Sequence, residues 1–109
     1  MQSIRHGLAW SAMAVGLTAG PALAQGQDPQ PLATRSLAAT CAACHGTQGR
    51  AVDGATVPGL AGLPAGYLAD QMKAFKSGAR PATVMHQLAK GYSDAQIEQL
   101  AAYFAGVKP

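Results

Sequence analysis

Two cysteines, Cys41 and Cys44, stand two residues apart in "CAACHGTQGR", and His45 follows the second directly. The chain has no other cysteine. On a helical turn, residues at i, i+3 and i+4 share one face, so both sulfurs and the imidazole are set to meet a single object. Three uses of such a triad fit this chain poorly. A structural zinc site takes about four protein ligands, and beyond the thiols the chain after residue 24 offers only His45 and His86. A thioredoxin-like pair belongs at a strand-to-helix junction, yet no segment here sustains strand alternation. A disulfide across so short a loop removes little closure entropy from the unfolded chain.

The fourth use is the attachment of c-type haem. In Cys-x-x-Cys-His each thiol adds to a vinyl group of the porphyrin and the histidine ligates the iron. Small residues at 42 and 43 allow a flat ring to approach the backbone, and Gly46 and Gly49 allow the chain to turn away sharply after the ligand. One attachment sequence predicts one covalently held haem c.

The N-terminus points to the compartment in which that chemistry happens. Arg5 and His6 precede an apolar run from Leu8 to about Ala19, then Gly20, Pro21 and the small-residue pattern Ala22-Leu23-Ala24. This order predicts a secretory signal peptide, residues 1–24, cleaved after Ala24. The alternative is an uncleaved anchor, but the run falls short of the roughly 20 residues a span needs. Cleavage leaves no membrane span and a periplasmic, oxidising location, where thiols end up bridged or capped. Arg5 leaves with the peptide, so seven basic side chains face five acidic ones. A balance that weak, with no basic run, excludes nucleic acid as a partner.

The remainder reads as one small all-α domain of three to four helices with long loops. Residues 25–34 are assigned as a polar N-terminal linker and 35–109 as the domain, although Pro31 suits a first helical turn and the alanine- and leucine-rich "PLATRSLAAT" leads into Cys41. Residues 46–62 are glycine-dense and read as a long loop. Leu68, Met72 and Phe75 then mark one face of a helix over 63–77, which Gly78 stops. "RPATVMHQLAK" is a further loop or short helix. Ser93 and Gln96 form a capping box, and Ile97, Leu100, Ala101 and Phe104 form an apolar stripe that Gly106 closes. Large apolar side chains are few and alanine is the commonest filler, so a prosthetic group is expected to complete the core.

An electron-carrying haem iron takes a sixth ligand. Met1 and Met13 leave with the signal peptide, which narrows the thioether candidates to Met72 and Met85. Met72 sits on the apolar face with Leu68 and Phe75 and reads as core filler. Met85, in a segment set apart by Gly78, Pro81 and Gly91, is assigned as the axial sulfur, with the adjacent His86 as its main rival. A thioether favours ferrous iron and raises the reduction potential.

The stretches "LAATCAACHGTQGR", "VPGLAGLPAGYLADQMKAFKSGARP" and "TVMHQLAKGYSDAQIEQLAAYFA" resemble the class I c-type cytochromes, and among them the haem subunit of flavocytochrome c sulfide dehydrogenase. The resemblance implies a cytochrome c fold wrapped around the haem, thioether bonds at Cys41 and Cys44, His45 as proximal and Met85 as distal ligand, and the Pro58 carbonyl as acceptor of the proximal imidazole N–H. Tyr67 and Arg80 become candidate propionate partners, equally readable as surface residues. The implied function is single-electron transfer, with no enzymatic activity of its own, from a sulfide-oxidising flavoprotein subunit or another redox protein to a downstream cytochrome or oxidase. Lys73, Lys76, Arg80 and Lys90 would help such a partner dock, and are equally readable as a solvated helix face. Many haem subunits of that flavocytochrome carry two haem domains, whereas this sequence has one attachment motif. A free-standing carrier of another respiratory chain therefore stays open, as does an open-iron haem protein in which Met85 does not ligate.

Overall fold

The computed structural model describes residues 31–109. The expected signal peptide and residues 25–30 of the expected linker lie outside them. Along the chain run α1 (Leu32–Ala39), α2 (Ala42–His45), a 3-10 turn (Thr47–Gly49), α3 (Ala65–Ser77), α4 (Met85–Leu88), a second 3-10 turn (Ala89–Gly91) and α5 (Asp94–Gly106). No strand occurs among the described residues. Three helices of two turns or more thus carry the fold, and α2 and α4 are single turns that each present a candidate ligand.

The start of α1 departs from the sequence reading. The helix begins at Leu32, inside the span 25–34 assigned to the linker, with Pro31 as its N-cap. Thr34 is buried, because α1 lies against α5 and brings its first turn into the packing.

The last helix forms as its sequence predicts. The Ser93 hydroxyl accepts from the Gln96 N–H at 3.1 Å, and the Gln96 side-chain oxygen accepts from the Ser93 N–H at 2.9 Å. Two of the helix's otherwise unpaired N–H groups are thereby satisfied, and Asp94 in the first turn complements the helix dipole. Its stripe of Ile97, Leu100, Ala101 and Phe104 is the centre of the core, with Ile97 fully buried. Leu68 and Ala69 of α3, Ala38 of α1 and Tyr103 complete it. Gly78 ends α3 in the left-handed conformation that glycine adopts without a Cβ penalty (φ 82°).

Two ion pairs join α3 to α5. Lys73 pairs with Glu98, and Lys76 Nζ donates to Asp94 at 2.8 Å. The Lys76 ammonium holds the Asp94 carboxyl below the usual carboxylate range. A depressed folded-state pKa means that this exposed pair contributes at neutral pH and is lost on acidification through that range.

The turn after the attachment helix is the tightest point of the chain. Gly46 has φ 86°, and a Cβ there would sit 2.0 Å from the Arg50 carbonyl oxygen. Gly49, with φ 76°, lies under the Phe104 ring, where a Cβ would come within 2.8 Å of Cδ1. The obstacle at Gly46 is backbone and cannot rotate away. Gly46→Ala is expected to cost about 3 kcal/mol or more, since left-handed strain and a backbone clash combine. A urea unfolding midpoint within error of the parent's would contradict that account.

Candidate functional site

The turn that carries the cysteines is helical from its first residue. Cys41, in right-handed helical conformation, caps α2, and its carbonyl accepts from Cys44 N at 3.3 Å and His45 N at 3.0 Å. Those bonds set both sulfurs and the imidazole on one face. Neither thiol is in a disulfide; Cys44 is exposed and Cys41 partly buried. Burial pushes the Cys41 thiol up, opposed by the weaker effect of its hydrogen bond with Thr40.

His45 has one ring nitrogen committed. Its Nδ1 lies 2.7 Å from the carbonyl oxygen of Pro58. A carbonyl only accepts, so Nδ1 carries the proton and Nε2 keeps its lone pair free for a metal. The loop holding Pro58 is pinned close by: the Gly49 carbonyl accepts from Leu60 N at 2.7 Å and from Ala61 N at 3.1 Å. Gly49 has no side chain to obstruct this crossing, and that is why the loop can return over the attachment turn.

Met85 opens α4, which packs on α3. Met72, by contrast, packs against the buried core. The nitrogen Nδ1 of His86 is buried without a hydrogen-bond partner. Tyr67 is exposed in the first turn of α3. The Arg80 guanidinium bonds the Gln71 side chain and lies 4.6 Å from the Phe75 ring centroid, so protein groups already hold it. Lys73 and Lys76 are likewise matched by Glu98 and Asp94. Lys90, the fourth expected docking cation, is exposed on the second 3-10 turn.

Sequence reasoning missed one contact in this neighbourhood. The Tyr92 hydroxyl lies 2.9 Å from Thr40 Oγ1, next to the first cysteine. The two residues are 52 positions apart, and no local pattern links them.

The residues fit a haem. Two unpaired thiols and an imidazole with a free Nε2 share one turn, which is the donor set that thioether attachment and iron ligation require. The buried Nδ1 of His86 lacks a protein partner beside the candidate sixth ligand. Among the described residues no cluster of three or more His, Cys, Asp or Glu side chains is arranged to hold a bare metal ion. No helix among them is long and apolar enough to cross a membrane.

Comparison with known proteins points the same way. The family model for cytochrome c matches residues 32–108. Over 72 residues the chain is 50% identical to the thiosulfate dehydrogenase electron acceptor of Thiomonas intermedia, covering 66% of this chain and 33% of that protein. It is 37% identical over 71 residues to the cytochrome subunit of sulfide dehydrogenase of Chlorobaculum tepidum, covering 65% and 63%. The solved structure of Acidithiobacillus ferrooxidans cytochrome c4 superposes with a TM-score of 0.58 at 37% identity, over 62% of this chain and 38% of that one. The chain thus spans from a third to under two thirds of the length of these relatives.

Proposed function

Because the chain belongs to the cytochrome c family, we propose that it takes single electrons from a dehydrogenase of reduced sulfur compounds and passes them to a downstream cytochrome or oxidase. It is an electron-transfer protein with one covalently attached haem c, not an enzyme by itself. The observation that carries the reading is the 2.7 Å contact between His45 Nδ1 and the Pro58 carbonyl, made by the histidine of the attachment turn.

Haem c, when bound, supplies the one-electron couple. Cys41 and Cys44 are the residues that would tether it. His45 would ligate through Nε2, and its hydrogen bond to Pro58 fixes the ring plane and raises the basicity of the ligand. Met85 would supply the thioether on the opposite side, favouring the ferrous state and closing the iron to substrates. With His45 and Met85 as its ligands, the group would take no substrate, and the protein's work would be to orient, shield and tune.

Two donors are in question. The sequence pattern favours a sulfide-oxidising flavoprotein, and the 37% identity to the cytochrome subunit of sulfide dehydrogenase of Chlorobaculum tepidum supports a sulfide-oxidising donor. The 50% identity to a thiosulfate dehydrogenase electron acceptor supports a second reading, in which that enzyme is the donor. Mixing the ferric protein with each purified dehydrogenase and its substrate separates them, because the true donor reduces it within the turnover time and the other does not. The signal sequence supports a periplasmic site, tested by the mass of the exported protein, which should begin at Gln25 and include one haem.

The ligand assignment is tested by the visible spectrum of the exported protein. A sharp low-spin c-type spectrum, with the weak far-red band of sulfur-ligated ferric iron, is expected. Rapid stoichiometric binding of carbon monoxide by the ferrous protein at neutral pH would instead support the open-iron alternative.

A further inference from the structure

The segment bearing Met85 has little apolar anchorage of its own. Between Pro81 and Tyr92 the one buried residue is Ala89, while Val84 and Leu88 stand half exposed. The N–H groups of Gln87 and Leu88 bond locally to the Val84 carbonyl, at 2.9 and 3.2 Å. Such bonds shape the turn without attaching it to the rest of the protein.

Besides the packing of α4 on α3, the segment is attached at its end through Tyr92. Thr40 Oγ1 donates its single proton to the Leu37 carbonyl at 2.7 Å. The 2.9 Å contact between the two hydroxyls must then run from Tyr92 O–H to Thr40 Oγ1. Tyr92 is held at its other end as well, because its carbonyl accepts from Lys76 Nζ at 2.8 Å. A directed chain therefore passes from the end of the Met85 segment to the last turn of α1, immediately before Cys41.

We propose that Tyr92 is a positioning residue for the axial methionine: its hydroxyl, through Thr40, latches the Met85 segment to the haem-attachment turn and keeps the thioether side closed. The proposal rests on Met85 as the sixth ligand. In the closed state the Tyr92–Thr40 bond is made, and the proposal requires that it break when Met85 swings away. The expected change in the open population is roughly threefold to tenfold, which is about 0.7–1.4 kcal/mol at about 1.4 kcal/mol per tenfold and lies within the net contribution of one hydrogen bond. The apparent affinity of a competing ligand rises by the same factor, since it binds only the open state.

The test uses the ferric, haem-loaded protein and imidazole as the competing ligand. Tyr92→Phe is expected to bind imidazole roughly threefold to tenfold more tightly than the parent, with helix content and the resting spectrum kept. Thr40→Val should do likewise, and Thr40→Ser, which keeps a hydroxyl, should behave as the parent. Ile97→Val serves as a control that loosens the core without removing either hydroxyl of the latch, and it should leave imidazole affinity within a factor of two. The proposal fails if Tyr92→Phe binds imidazole as the parent does. It also fails if Ile97→Val tightens binding as much at matched loss of global stability, for the effect would then be general softening. A parent lacking the far-red band would overturn the Met85 assignment itself and the latch with it.

Discussion

A Cys41→Ala, Cys44→Ala double variant, exported in a host that attaches haem, is expected to lose most of the native helical signal in far-ultraviolet circular dichroism and to unfold without a cooperative transition. The reason lies in the composition of the buried core. Its large side chains are Leu68, Ile97, Leu100, Tyr103 and Phe104; the remaining buried positions are held mainly by alanines 38, 69, 89 and 101. Burying a large apolar side chain contributes about 1.5–3 kcal/mol, whereas ordering each residue costs about 1–2 kcal/mol in backbone entropy alone. A domain of this size seldom closes that gap without a staple. A haem tethered to residues 41 and 44 would supply that staple. A fully helical variant with a sharp melting transition would show that α1, α3 and α5 suffice by themselves.

Replacing Met85 by alanine is expected to have a different outcome, with the fold kept and the electronic properties changed. The far-red band of the ferric protein should vanish, the ferrous protein should bind carbon monoxide, and the reduction potential should fall by on the order of a tenth of a volt or more, because the electron-poor thioether no longer favours ferrous iron. His86→Ala provides the discriminating comparison. The buried, unpartnered Nδ1 of His86 lies one residue from Met85, so a histidine-ligated iron would respond to His86→Ala and ignore Met85→Ala. Retention of the band in the Met85 variant would remove that residue from the iron.

Much of the fold could be read locally. The stop at Gly78, the Ser93–Gln96 box and the stripe from Ile97 to Phe104 all depend on residues within about a turn of one another, where backbone geometry alone dictates who meets whom. Met72 as core and Met85 on a separate turn followed from periodicity and from the breakers at Gly78, Pro81 and Gly91. The start of α1 was less legible, because the burial of Thr34 depends on α5 lying across it. Lys73 and Lys76 looked like free docking cations for the same reason: their partners, Glu98 and Asp94, are 25 and 18 positions away.

The sequence by itself determined the chemistry. Cys41, Cys44 and His45 lie within one helical turn, so their common face follows from 3.6 residues per turn and needs no tertiary contact. Tertiary structure alone decided how that chemistry is held. The 2.7 Å bond from His45 to Pro58 depends on the path of a 13-residue return. The Tyr92–Thr40 bond closes over 52 positions. Nothing local encodes either closure: the ends of a loop meet where the packing of α1, α3 and α5 and the absence of a side chain at Gly46 and Gly49 let them meet.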